Sequence, residues 1–116
     1  MFEYWLETEL TNFPPVERIR GQVFSQDSGA NKIGVRVTKN GLPVTLTGSV
    51  KAWVIKPDGS TIEIDGSKSN NTAWVVLSSS AYSVVGNIKV AIRLINDSQV
   101  TTLGVVEAHV YQSTTI

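Results

Sequence analysis

A stretch of fourteen residues, from Val35 to Gly48, limits most strongly what this chain can fold into. It reads VRVTKNGLPVTLTG, so apolar and polar residues alternate before an Asn-Gly pair. Asn40 and Gly41 can both adopt positive φ, which a tight hairpin turn of the primed type requires. Pro43 cannot donate a hydrogen bond to a neighbouring strand, so we expect the strand after the turn to lie at a sheet edge. The stretch therefore predicts an edge hairpin.

The same alternation recurs along the chain from residue 17 onwards. It appears at 33–37, 88–94 and 106–110, whereas 50–56 is apolar on both sides, as in a strand covered on two faces. Turn-forming residues separate the segments at Gln26–Gly29, Asn40–Gly41, Lys56–Gly59, Asp65–Asn71, Val85–Gly86 and Asn96–Ser98. Seven or eight short strands at this spacing predict an all-β, immunoglobulin-like antiparallel sandwich over residues 16–116.

The first fifteen residues follow another pattern and predict a separate N-terminal docking arm, residues 1–15. Apolar residues from Phe2 to Phe13 recur at helical spacing, and Pro14-Pro15 closes the segment, so we expect a short helix or an ordered arm. So much apolar area should be buried against something, either the chain's own sandwich or a neighbouring protein. The predicted partner-binding residues are Phe2, Tyr4, Trp5, Leu6, Leu10 and Phe13.

Charge is divided unevenly along a chain whose formal net charge is zero. Four glutamates precede the first basic residue, Arg18, so the start of the chain carries −4 and the remainder +4. A neutral total argues against nucleic-acid binding, which normally requires a clustered basic excess. The division is explained either by solubilising charges or by an acidic arm that docks on a basic body, its own or a neighbour's.

Candidate catalytic chemistry is sparse in this composition. The chain has no cysteine, which excludes disulfides, thiolate catalysis and sulfur-ligated metals, and it has a single histidine, His109. His109 lacks the partners that a nucleophile-base pair or a histidine-ligated metal would need, so we interpret it as a surface or interface side chain. We expect no enzyme activity, no catalytic residue, no cofactor and no metal site. No apolar run approaches the ~20 residues that cross a bilayer, so no membrane partner is expected.

A carbohydrate-binding module is a less favoured alternative. It would use Trp53, Trp74 or Tyr82 as a surface on which sugar rings stack. Both tryptophans fall in predicted strands, however, where core or inter-sheet packing is the more ordinary explanation. Burial of the tryptophans would argue against a glycan partner.

Several short motifs together resemble the N-terminal domain of upper baseplate proteins of tailed phages that infect Gram-positive bacteria. They are the segment Ile33–Gly48, the turn Lys56–Gly59, the strand entry Ala81–Ile92 and the segment Thr101–Gly104, and the similarity spans about residues 17–111. Related modules open tail-fibre and head-fibre proteins. The resemblance implies an immunoglobulin-like attachment domain that anchors a longer fibre or receptor-binding device to the particle.

What the resemblance implies for function is a non-enzymatic structural protein of the virion. Its expected partners are other virion proteins, and a homo-oligomer is expected, with a trimer favoured. The favoured role is attachment of a tail or baseplate adhesion device, and the alternative is a capsid decoration or head-fibre protein. The family pattern continues into a distal fibre, so the chain is expected to be either a self-contained connector or the head of something longer.

Overall fold

The computed structural model describes residues 2–19, 24–25 and 30–112, and of residues 24–25 it describes the backbone. Within these residues the chain forms two β-sheets packed face to face, which confirms the predicted all-β sandwich. The strands in the described ranges are β1 (Glu3–Glu9), β2 (Val16–Arg18), β3 (Phe24–Ser25), β4 (Asn31–Lys39), β5 (Leu42–Pro43), β6 (Ser49–Ile55), β7 (Thr61–Asp65), β8 (Ser67–Ser69), β9 (Thr72–Leu77), β10 (Gly86–Asn96) and β11 (Gln99–Tyr111). A short 3₁₀ helix, Ser79–Tyr82, connects β9 to β10.

Strand order follows the immunoglobulin plan. The first sheet has the order β1-β4-β9-β8, with β5 also paired to β4. The second sheet has the order β2-β11-β10-β6-β7, with β3 also paired to β11. If β4, β6 and β8 to β11 are lettered B, C, D, E, F and G, the two sheets reproduce the A-B-E-D and G-F-C orders of an immunoglobulin domain.

Both sheets are mixed rather than purely antiparallel. β1 runs parallel to β4, and β2 and β3 run parallel to β11, whereas the other pairs are antiparallel. β1 occupies the position of immunoglobulin strand A, but the chain leaves it, joins the second sheet as β2 and reaches β4 only afterwards. A parallel pair needs such a long connection, since a tight hairpin joins only antiparallel neighbours.

The helical interpretation of the N-terminal segment is wrong, because Glu3–Glu9 is a strand. Residues Tyr4, Leu6 and Thr8 face the interior in alternation, and Trp5 lies on the opposite face of the sheet. An isolated helix this short is marginal in water, whereas a strand satisfies its backbone groups by pairing with β4. The division into an arm and a sandwich at residue 15 stays a prediction, although β1 is hydrogen-bonded within the first sheet.

The core lies between the inner faces of the two sheets. Its largest fully buried side chains are Tyr82, Leu6, Ile33, Leu77, Ile88, Ile92, Leu103, Val35, Val37, Val54 and Val75. The Tyr82 hydroxyl donates to the carbonyl oxygen of Leu77 at 3.2 Å and accepts from Nδ2 of the buried Asn31 at 2.6 Å. A tyrosine between strands E and F that bonds to the backbone a few residues upstream is typical of immunoglobulin-like sandwiches.

The predicted hairpin turn is confirmed. Asn40 has φ 53° and Gly41 has φ 79°, and Pro43 lies in a two-residue strand that pairs with β4 alone. Gly59 in the predicted turn between β6 and β7 also has positive φ, 87°. The predicted turn at Gln26–Gly29 lies outside the described residues. No helix in the described part of the chain is long and apolar enough to cross a membrane.

Candidate docking surface

β1 closes one side of the sandwich through its inner face. Leu6 is fully buried in the core. The Thr8 hydroxyl, also buried, donates to the carbonyl oxygen of Leu103 at 2.6 Å, which links the first sheet to β11 of the second. Leu6 therefore packs inside its own chain and is not accessible at the surface, although its residue type and spacing placed it among the partner-binding candidates.

The end of β1 is tied to the hairpin turn by Glu9. Its carboxylate accepts hydrogen bonds from the backbone N–H groups of Asn40 and Gly41, both at 2.9 Å, and from Oγ1 of Thr38 at 3.0 Å. The Gly41 N–H, followed by those of Asn40 and Thr11, lowers the Glu9 pKa to about 2. No sequence signal identified this contact, because the partners lie about thirty residues away along the chain.

The outer face of the first sheet carries a stack of aromatic and cationic side chains. The rings of Trp5 and Trp74 meet edge to face, with centroids 6.4 Å apart. The Arg36 guanidinium lies 4.8 Å from the Trp5 ring, and the Lys32 ammonium lies 5.3 Å from the Trp74 ring. Trp5 covers Gly34, which stands between the two tryptophans in the sheet. A glycine inside an apolar strand often marks such a close approach, so Gly34 is the sequence feature from which this contact could have been predicted.

The remaining candidates of the N-terminal segment lie partly or wholly at the surface. Phe13 is 96% exposed, and Phe2 and Leu10 are 36% exposed each. Tyr4 is part-buried and donates to Oε1 of Glu17 at 2.6 Å, a hydrogen bond that raises the Tyr4 pKa. Val16 on β2 adds a further exposed apolar side chain. We call Phe2, Leu10, Phe13 and Val16 the N-terminal flank.

The three aromatic residues considered for glycan stacking do not form one surface. Trp74 lies on the outer face of the first sheet, and Trp53 lies on the outer face of the second, 4.7 Å from the Arg93 guanidinium. Tyr82 is in the core between them. Both tryptophans are half-buried on outer faces, so the expected core or inter-sheet packing is wrong and burial does not argue against a glycan partner. Their positions exclude only a single platform made of all three residues.

Titratable groups are scattered in the described part of the chain. No group of three or more histidine, aspartate or glutamate side chains there could hold a metal ion. His109 pairs through Nδ1 with Oδ1 of Asn87 at 2.8 Å, on the strand beside it. This contact joins the end of β11 to the start of β10.

Comparisons with known proteins bear on the fold. No protein-family model matches the chain, and no curated protein matches it. A solved structure described as the N-terminal domain of phage TP901-1 ORF48 is similar, with a TM-score of 0.54 and 15% sequence identity. The similarity covers 98% of this chain and 100% of that domain. At this identity the likeness shows a shared fold, a β-sandwich found in a phage protein.

Proposed function

We propose that this chain is a non-enzymatic structural protein of a tailed-phage virion that attaches an adhesion device of the tail or baseplate through protein-protein contacts. One observation carries the proposal: the fold matches the N-terminal domain of a phage protein over nearly the full length of both. The sequence motifs that resemble phage upper baseplate proteins support the same role.

The N-terminal flank is the proposed attachment surface. Phe13 presents almost its whole ring to solvent, and Phe2, Leu10 and Val16 are exposed on the same segment of chain. Phe2 and Leu10 lie at the two ends of β1, an edge strand of the first sheet, so these apolar side chains are spread along that edge. Tyr4 and Trp5 adjoin the flank, whereas Leu6 supports it from the core. The partners are other virion proteins, and copies of this chain form a symmetric oligomer, with a trimer favoured.

Locating the protein in intact particles tests the proposal. A specific antibody detected by electron microscopy should label the tail or baseplate. Labelling of the capsid would instead establish the alternative, a capsid decoration or head-fibre protein. Absence of the protein from purified particles would refute a virion role altogether.

The attachment surface has its own test. In particles assembled with the Phe13→Ser variant, incorporation of this protein should fall, because the apolar contact is lost. Val100→Ser is the matched control, since Val100 is also exposed but lies on β11, far along the chain from the flank. Both variants should keep the wild-type melting temperature. Equal incorporation of both variants would refute the flank as the attachment surface.

A further inference from the structure

A groove opens at one end of the second sheet, beside β2. Its volume is about 660 Å³, within the roughly 300–1,000 Å³ range of protein ligand sites. Its lining comes from the β6–β7 turn, the start of β10, the end of β11 and β2 with the residue after it. Part of one wall is closely packed: a Cβ added to Gly86, whose φ is 132°, would lie 2.8 Å from Cβ of Pro57. The turn therefore packs closely against the start of β10.

Charge in the groove is predominantly positive. Among the residues that the structure describes, Arg18, Lys56 and Lys89 line it together with one carboxylate, Glu107. Glu107 lies 3.1 Å from Nη2 of Arg18 and 3.7 Å from Nζ of Lys89, so one anion is shared by two cations. Since the whole chain is formally neutral, this local excess of cations is a specific feature of the groove.

The groove also offers apolar contacts beside the charges. Ile55 is exposed at its side, and Pro57 and Tyr111 contribute further carbon surface. The His109 ring meets Tyr111 edge to face with centroids 4.5 Å apart, and its Nδ1 is held by Asn87. The other ring nitrogen, Nε2, is a further polar group with which a ligand can form a hydrogen bond.

We propose that this groove binds an acidic peptide segment of a partner protein, with glutamate or aspartate side chains flanking an aromatic or branched aliphatic one. Charge complementarity selects the anion, because carboxylates form strong hydrogen bonds with guanidinium and ammonium groups. The apolar surface at Ile55 and Tyr111 selects the intervening side chain. The choice of a protein segment as the occupant rests on the proposed function, in which the chain acts by protein-protein contacts.

Fluorescence anisotropy with the isolated chain tests this assignment. The probe is a fluorescein-labelled peptide Glu-Asp-Phe-Glu-Leu-Asp-Glu, compared with one that has Gln and Asn at the acidic positions and one that has Ser for Phe and Leu. The acidic, apolar peptide should bind at least about tenfold more tightly than either comparison peptide, and raising the salt concentration should weaken its binding. Equal binding of the acidic and the neutral peptide would overturn the proposal.

Variants assign the binding to the groove. The double variant Lys56→Ala/Lys89→Ala should weaken peptide binding about tenfold or more. The matched double variant Lys32→Ala/Lys68→Ala removes two charges from the first sheet and should leave binding unchanged. Equal loss in both would show nonspecific attraction and would overturn the groove as the site. Neither result depends on where the protein lies in the particle, so failure of the groove and failure of the virion role are distinguished.

Discussion

The indole of Trp5 occupies the space above Gly34 in which a side chain would otherwise stand. A Cβ placed on Gly34 would overlap with Cζ3 and Cε3 of the Trp5 ring. The two residues face each other across β1 and β4, and Trp74 meets Trp5 from the next strand. The glycine therefore allows the first strand to lay its largest side chain on the outer face of the sheet.

Replacement of Gly34 should destabilise the fold only when Trp5 is present. We expect Gly34→Ala to lower the free energy of unfolding by about 1–3 kcal/mol, because the added methyl group displaces the indole. In the Trp5→Ala background the same change should be neutral or stabilising, since alanine costs less chain entropy than glycine in a strand. Urea denaturation of the four members of this cycle measures the coupling. Additive effects would contradict the overlap.

Leu6 should be essential to folding although it belongs to the predicted docking arm. Leu6→Ala removes a fully buried side chain and should cost about 2–5 kcal/mol of unfolding free energy. Phe13→Ala, a truncation at a fully exposed position, should change the unfolding free energy by less than about 0.5 kcal/mol. Because residues 2–10 include the buried Leu6, their deletion should abolish cooperative thermal unfolding. A truncated chain that still melts cooperatively would restore the interpretation of the segment as a separable arm.

Glu9 should make stability depend on pH under acidic conditions. Its pKa is lowered from 4.5 to about 2 in the folded protein, chiefly by the Gly41 N–H. A depressed folded-state pKa means that the stabilisation is complete above about pH 4.5 and is lost as the pH falls towards about 2. Glu9→Gln should therefore be less stable than wild type at pH 6. The difference in unfolding free energy between the two proteins should shrink as the pH falls from about 4.5 to about 2.

Chemical denaturation of wild type and Glu9→Gln across this pH range measures the effect. Glu7→Gln is the matched control, because Glu7 lies on the same strand and, within the described ranges, pairs with Arg36 alone at the surface. A constant difference between wild type and Glu9→Gln from pH 6 to pH 2 would contradict the role assigned to the carboxylate.

The hydroxyl of Tyr82 should stabilise the connection between β9 and β10. Tyr82→Phe leaves Nδ2 of Asn31 and the Leu77 carbonyl oxygen without this partner in the core, and we expect a loss of about 1–3 kcal/mol. Tyr4→Phe, which removes a part-buried hydroxyl bonded to Glu17, should cost less. Equal losses of unfolding free energy in the two variants, measured by urea denaturation, would show that burial of the Tyr82 hydrogen bonds adds nothing to stability.

Local pattern was sufficient for most of the fold. The alternation at 33–37, 88–94 and 106–110 predicted strands that the structure contains, and the Asn40-Gly41 pair predicted its turn. These features depend on neighbouring residues only, because a strand exposes alternate side chains to opposite faces and a tight turn requires positive φ. Their succession at regular spacing predicts a sandwich.

The N-terminal segment shows where local pattern was insufficient. Trp5 and Leu6 are adjacent and both apolar, so their spacing fits a helical stripe as well as a strand covered on two faces. In the structure Leu6 enters the core and Trp5 covers Gly34 on the opposite side. The backbone pairing with β4 distinguishes the two conformations, and that partner lies about thirty residues away.

The sequence by itself determined the strands at 33–37, 88–94 and 106–110, the Asn40-Gly41 turn, the all-β class and the scarcity of catalytic residue types, since each depends on local conformation or on composition. Only the tertiary structure decided that β1 runs parallel to β4, that Glu9 binds the hairpin turn, and that Leu6 is interior while Phe13 is exposed. It also brought Arg18, Lys56 and Lys89 from three separate strands and turns to one groove. Such contacts join residues far apart in the chain, and folding alone brings them within interaction distance.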